Sequence, residues 1–252
     1  MHLPDPVFPP LLNGHAVRSP RRAFDAAVAG ARQGELGAGD VVWGRTTRQL
    51  DCAVVLEPDV PPARAAEMIF IMLVAFGDSF GSLSPPEVAL SFGWPTIIRL
   101  NGGRVGEVHA AMSAECDDLG SPRWMVVGLE VDLQAPSGRA AEPGHTPEVT
   151  TLADEGCGEI TRTELLESVS RHLLTWIHNW EVDGFQEVHA SLLYRLEGYR
   201  EDISVEIGGT TRRGRFTGLD EHGNMLLETG EGSKLLEALW AIDMIDTAEA
   251  AS

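Results

Sequence analysis

Nine consecutive residues, Met68–Phe76, carry no polar side chain. Pro61 and Pro62 stand just ahead of them, and proline suits a helix start because its missing N–H is an orphan there anyway. The spacing predicts a helix from Pro62 to about Phe76 that is apolar almost all round. Such a helix must be covered on every side, so the chain has to wrap it in other elements. The run is too short to cross a bilayer, which takes about 20 apolar residues. With 252 residues there is enough chain for one large domain, with or without a small second one.

The other elements read as follows. After a proline-rich lead-in over 1–14, Ser19 and Pro20 suit the start of a helix over Arg21–Gln33, ended by Gly34 and Gly37. Asp40–Gly44, Asp51–Leu56 and Val88–Phe92 read as strands. Thr96–Leu100 and Arg104–Met112 form a hairpin around Asn101-Gly102-Gly103, residues that accept positive φ. Arg123–Leu133 is one long strand, and 135–148 is a polar loop. Thr161 with Glu164 makes a capping box for a helix to about Trp180. Gly184 separates it from a helix over 185–198. Short strands with glycine turns follow at Ser204–Ile207, Arg213–Leu219, Asn224–Glu228 and Leu235–Ile242, a small-barrel pattern. The expectation is an α+β domain over 1–200, a mixed sheet with packed helices, and a small all-β domain over 201–252.

Charge narrows the function. The net charge is −19. The first hundred residues hold 8 basic and 10 acidic side chains, and the remainder 11 and 28. A field of that sign repels phosphate backbones, so no nucleic-acid partner is expected. Lys234 is the only lysine; the other 18 basic residues are arginines. Cys52, Cys116 and Cys157 are few, odd in number and widely spaced, which suits a reducing cytoplasm. The first residues lack the basic start and apolar stretch of a signal peptide, and no membrane association is expected.

Two apparent motifs lead nowhere. Gly77-Asp78-Ser79-Phe80-Gly81 fits the hydrolase pattern G-x-S-x-G, but that chemistry needs the serine on a turn from strand to helix, and this segment leaves a helix. The eight histidines show no H-x-x-x-H spacing, so no metal site is expected. Trp176 and Trp180, four apart, read as a core stripe.

A third segment is more informative. Gly93-Trp94-Pro95 precedes the hairpin, and its returning strand carries Arg104, Gly106, Glu107 and His109. A glycine in a strand leaves room for a ligand or another backbone to lie close, and a guanidinium beside it suits a carboxylate or phosphate. An ordinary hairpin with an exposed arginine accounts for the same residues.

The order of these parts resembles the biotin and lipoate protein ligases, above all the single-function biotin protein ligases. That family has a basic glycine loop after an early strand, then a Lys-Trp-Pro-Asn-Asp segment, a hairpin, a Lys-x-x-Gly-Ile strand, a Gly-x-Gly-x-Asn strand and a closing SH3-like barrel. Here Trp43, Gly44, Arg45 and Arg48 stand at the glycine loop. Trp94, Pro95 and Thr96 stand at the Trp-Pro segment, Arg104 and Gly106 at the lysine strand, and Gly128, Glu130 and Asp132 at the last motif.

The resemblance implies a fold like that of class II aminoacyl-tRNA synthetases and biotin ligases. It also implies ATP-dependent activation of biotin, lipoate or octanoate, with Mg2+ accompanying the nucleotide, and transfer to a lysine of a biotin or lipoyl carrier protein. Arg104 takes the place of the family's catalytic lysine. Trp94, Pro95, Gly106 and Glu107 fall to the acid substrate, and Gly44, Arg45, Arg48, Thr96 and Asp132 to the nucleotide. The arginine, the short glycine loop and Thr96-Ile97 in place of Asn-Asp depart from the pattern. They raise a second expectation, a ligase fold that binds a small acid or a partner protein without chemistry.

Overall fold

The apolar run does become the centre of the molecule. In the computed structural model, which describes residues 3–135 and 148–246, it forms most of helix α3 (Met68–Leu83). Every residue from Met68 to Gly77 is buried, together with Ser79 and Phe80. A one-turn helix, α2 (Pro62–Ala65), leads into it. By length and composition the Pro62–Leu83 segment could cross a membrane, but 78% of its most apolar window is buried inside the protein. α3 runs on through the glycine–serine stretch to Leu83, well beyond Phe76. The polar loop expected over 135–148 falls almost wholly outside the described residues.

The cover on one side is a mixed sheet. Its strands are β1 (Asn13–Val17), β2 (Asp40–Gly44), β3 (Gln49–Leu56), β4 (Leu90–Gly93), β5 (Ile97–Leu100), β6 (Gly103–Ser113) and β7 (Met125–Asp132), in spatial order β1-β2-β3-β7-β6-β5-β4. β1 was not legible in the proline-rich lead-in; it pairs in parallel with β2. The alternation of strand side chains sorts residues between the two faces. Leu50, Cys52 and Val54 of β3, Val127, Leu129 and Val131 of β7, and Val108, Ala110 and Met112 of β6 join the large core around α3. α4 (Arg162–Asp183) and α5 (Gln186–Arg195) complete that cover. The Thr161–Glu164 capping box at the start of α4 is formed as read.

The opposite face carries α1 (Ala23–Gln33), which starts three residues after Pro20. It lays Ala23, Ala26, Ala27 and Ala31 on Val42, Ala53, Val55, Ala111 and Val126. Small side chains bring helix and sheet close together: a Cβ on Gly128 would lie 2.7 Å from the Phe24 ring. α1 is short, so it covers only part of this face.

The tail departs from expectation. β8 (Asp202–Ile207), β9 (Thr210–Leu219), β10 (Met225–Thr229) and β11 (Gly232–Leu236) form an open antiparallel sheet, ordered β11-β10-β9-β8, where a closed SH3-like barrel was expected. The stretch read as a last barrel strand, Leu235–Ile242, breaks after Leu236 into a 3-10 turn over Ala238–Ala241. The chain then forms β12 (Asp243–Ile245), which pairs in parallel with Ala111–Ser113 of β6. The chain thus returns to the main sheet and, among the described residues, adds no closing strand to the tail sheet.

Candidate functional site

Beyond the end of α1 the sheet face is polar. Register across three strands brings the side chains together: Gln49 pairs with Asp132, Asp51 with Glu130, and Glu107 with Glu130. Asp51, Glu107, Glu130 and Asp132 thus form an acidic floor, with Arg22 just ahead of α1, and His109 and Arg104 on β6. Arg22 pairs with Glu130, and its Nη2 also lies 3.3 Å from His109 Nε2. The His109 ring rests against Phe24, centroids 5.5 Å apart. Gln49 donates from Nε2 to both Glu130 (2.7 Å) and Asp132 (3.2 Å). Asp51 caps α1, accepting the Ala23 N–H at 2.9 Å.

These contacts set the acidities apart. His109 and the Arg22 guanidinium hold the Glu130 carboxyl below the usual glutamate range. Burial, reinforced by Glu130, pushes the Asp132 carboxyl up. Burial does the same for Asp51, against the Ala23 N–H bond.

Arg104 stands at the edge of this floor, beside a hollow of about 180 Å³ lined also by Gly106, Glu107, Glu130, Asp132 and Val149. Its guanidinium is 2.6 Å from Glu107. Both side chains are partly exposed, so the pair is weak and exchangeable with solvent or ligand. The room expected beside Gly106 is taken by the next strand: a Cβ there would lie 2.2 Å from the Glu130 carbonyl oxygen. That glycine serves the close approach of β6 to β7.

Glu107 also lines a larger cleft of about 640 Å³. One wall is Trp94, Pro95, Thr96 and Ile97, and the other is β8. Trp94 is 7% exposed, and its indole N–H donates to the Gly223 carbonyl at 2.9 Å, tying the corner between β4 and β5 to the tail sheet.

Sequence-selected residues therefore fall into four places. Arg104, Gly106, Glu107 and Asp132 share the hollow, and Trp94, Pro95 and Thr96 share the cleft. Arg45 lies over the Trp43 ring (4.9 Å), held by Asp5 and beside Arg162 of α4, on the core side of the sheet. Gly44 accepts from Arg162 through its carbonyl (3.2 Å), while a Cβ on it would lie 3.2 Å from Asp51 Oδ2, toward the acidic floor. Arg48 sits between β2 and β3, its carbonyl accepting from Leu133 and Gln134. The sequence reading passed over Arg22, Gln49, Asp51 and His109 as site residues. For Gln49, Asp51 and His109 the signal was polar side chains at alternate positions of otherwise apolar strands; Arg22, ahead of α1, carried none.

The other motifs resolve into structure. Ser79 is buried within α3, and its hydroxyl donates to the Ala75 carbonyl (2.7 Å), which leaves no exposed nucleophile. Trp180 is buried and donates to Glu67, while Trp176 donates to Asp78 (2.9 Å). No group of three or more His, Cys, Asp or Glu placed to hold a metal ion occurs among the described residues.

Comparison with known proteins agrees with the motif order. The model of the biotin/lipoate A/B protein ligase family matches residues 8–194. The biotin–acetyl-CoA-carboxylase ligase of Paracoccus denitrificans is 27% identical over 186 residues, 73% of this chain and 76% of that protein. The bifunctional ligase/repressor BirA of Bacillus subtilis is 24% identical over 72% of this chain, and the match spans 54% of that longer protein. A biotin protein ligase-like protein of unknown function from Silicibacter sp. TM1040 has a crystal structure that superposes with a TM-score of 0.82 at 36% identity, covering 94% of this chain and 98% of that one. The biotin protein ligase of Aquifex aeolicus, solved with biotin and ATP, superposes with a TM-score of 0.68 over 89% of this chain and 95% of its own; at 14% identity that likeness is one of fold. The matched span reaches from the lead-in before β1 to the last turn of α5, and on that ground the chain belongs to the biotin/lipoate A/B protein ligase family.

Proposed function

We propose that the chain is a divergent ligase of this family that activates a small carboxylic acid with ATP and passes it to a lysine of a carrier protein. The observation that carries the reading is Arg104: a permanent cation at the rim of a hollow, on the sheet face that α1 leaves open, at the position the family pattern gives to lysine. In the first step a carboxylate oxygen of the acid attacks the α-phosphorus of ATP, the bond to pyrophosphate breaks, and an acyl-adenylate forms. In the second, the lysine amine attacks the acyl carbon, the bond to AMP breaks, and the amine proton leaves to solvent or a carboxylate.

Arg104 would exchange Glu107 for the carboxylate and phosphate oxygens, stabilising charge that grows during phosphoryl transfer. Trp94, Pro95, Gly106 and Glu107 would bound the acid. Gly44, Arg48, Thr96 and Asp132 would lie toward the nucleotide, with Mg2+ carried on its phosphates. Biotin is the acid favoured by the curated relative, with lipoate or octanoate as the other choices.

A second reading is supported by the floor itself. Four carboxylates (Asp51, Glu107, Glu130, Asp132) oppose two guanidiniums (Arg22, Arg104), a poor setting for a triphosphate. In that reading the fold binds an acid or a partner without chemistry. The test is pyrophosphate release on incubation with ATP, Mg2+, a carrier domain and each acid in turn, with calorimetry alongside. Release with any one acid supports the ligase. Acid binding without ATP binding or release supports the second reading.

A further inference from the structure

The 640 Å³ cleft contains a feature the ligase chemistry does not use. Four consecutive residues of β8, Ile203–Glu206, line it. Successive strand side chains point to opposite faces, so a run of four neighbours on one cavity means that β8 presents its edge. β8 is the terminal strand of its sheet and pairs with β9 alone among the described residues. An unpaired strand edge offers a row of backbone donors and acceptors to an added strand. The rim is acidic: of its four carboxylates, Glu107 is paired with Arg104 (2.6 Å) and Glu197 with Arg99 (3.2 Å), which leaves Glu201 and Glu206. Glu201 and Glu206 are exposed, and among the described residues no contact neutralises either side chain.

We infer that this cleft is a docking site for an extended, lysine- or arginine-bearing segment of a partner polypeptide, which adds as a strand to the edge of β8. Backbone pairing supplies the register, and the Glu201 and Glu206 carboxylates select basic side chains. Glu107 lines both the cleft and the hollow of Arg104, so a lysine of the docked segment arrives beside the proposed acyl group. Identification of the partner as the acceptor rests on the ligase reading; the docking site does not.

The probe is a fluorescent decapeptide alternating lysine and valine, titrated against the full chain by anisotropy, with a glutamate–valine peptide and spermidine as comparisons. Selective binding of the lysine peptide is expected, weakening with salt and falling about tenfold or more in the double variant Glu201→Lys/Glu206→Lys. Hydrogen exchange should slow at Ile203–Glu206 when the peptide binds. Equal binding of the acidic peptide, an unchanged affinity in the double variant, binding of spermidine with the same protection, protection elsewhere, or no binding at millimolar peptide would each overturn the inference. Acyl-adenylate formation with free acid and ATP does not need the β8 edge on which the peptide would pair. Absent pyrophosphate release with intact peptide docking therefore refutes the ligase reading alone.

Discussion

Glu67 is the sharpest place to test how the tail sheet is held against the core. It lies between α2 and α3, 1% exposed. Its carboxylate accepts the Trp180 indole N–H, pairs with His222 Nδ1 at 2.7 Å, and faces Arg64 Nε at 3.1 Å, an ion pair without hydrogen-bond alignment. His222 belongs to the 220–224 turn, whose Gly223 carbonyl receives the Trp94 indole. Glu67→Ala strands a buried indole N–H and removes the anion from two basic partners. Breaking a buried charged network by removing one member costs about 3–5 kcal/mol. With a urea slope of about 3 kcal/mol/M for a chain of this size, the unfolding midpoint should fall by roughly 1–1.7 M. Glu67→Gln keeps an acceptor for the indole and should cost roughly 1–2 kcal/mol. His222→Ala, removing a half-exposed partner, should cost within about 1 kcal/mol. The assay is urea unfolding followed by tryptophan fluorescence, with hydrogen exchange of 220–224 as a local readout. An alanine variant within about 1 kcal/mol of wild type, or a glutamine variant as damaged as alanine, would refute the argument.

Other expectations follow from the same geometry. Gly106→Ala drives a methyl group into the Glu130 carbonyl and should destabilise by about 1–3 kcal/mol or more, seen as a lowered thermal midpoint; unchanged stability would contradict the tight β6–β7 contact. Arg104→Ala should abolish acid binding in calorimetry, whereas Arg104→Lys should retain it; the reverse order would show that the cation is not the anchor. Asp132→Asn should stabilise the fold at neutral pH, because a carboxyl raised on folding destabilises once it ionises. That advantage should be absent below the ordinary aspartate range and grow as pH rises through the raised value; a pH-independent difference in thermal midpoint would refute it. Trp94→Phe leaves the buried Gly223 carbonyl without its donor, and a loss of about 1–3 kcal/mol is expected in urea unfolding.

Local chemistry was readable in the chain wherever a single segment carried its own instruction. The Thr161–Glu164 box, the Asn101–Gly103 turn and the apolar run of α3 each needed only their neighbours. The extent of α3 was not readable, because Gly77, Ser79 and Gly81 have poor helix propensity, and burial with a Ser79 bond to Ala75 overrides it. β1 was hidden by its proline-rich approach. The hollow at Arg104 could be expected from motif order, but the acidic floor could not. Glu107 and Glu130 meet only through the register of β6 on β7, and Gln49 joins them from a strand some eighty residues away. Nothing local to β10 or β11 announces an open sheet either, nor that β12 pairs with β6 of the main sheet.

The position of β12 has a mechanical consequence. Along one edge of β6, β5 pairs from Gly103 to Glu107 and β12 takes Ala111–Ser113. The tail sheet is therefore anchored to the main one at both of its chain ends, through the α5–β8 connection and through β12. A module moored at two points cannot swing out on a single hinge, so the walls of the cleft should separate by small sliding movements. A chain cut back to residue 200 would lose more than an appendage, since it would bare an unpaired stretch of β6.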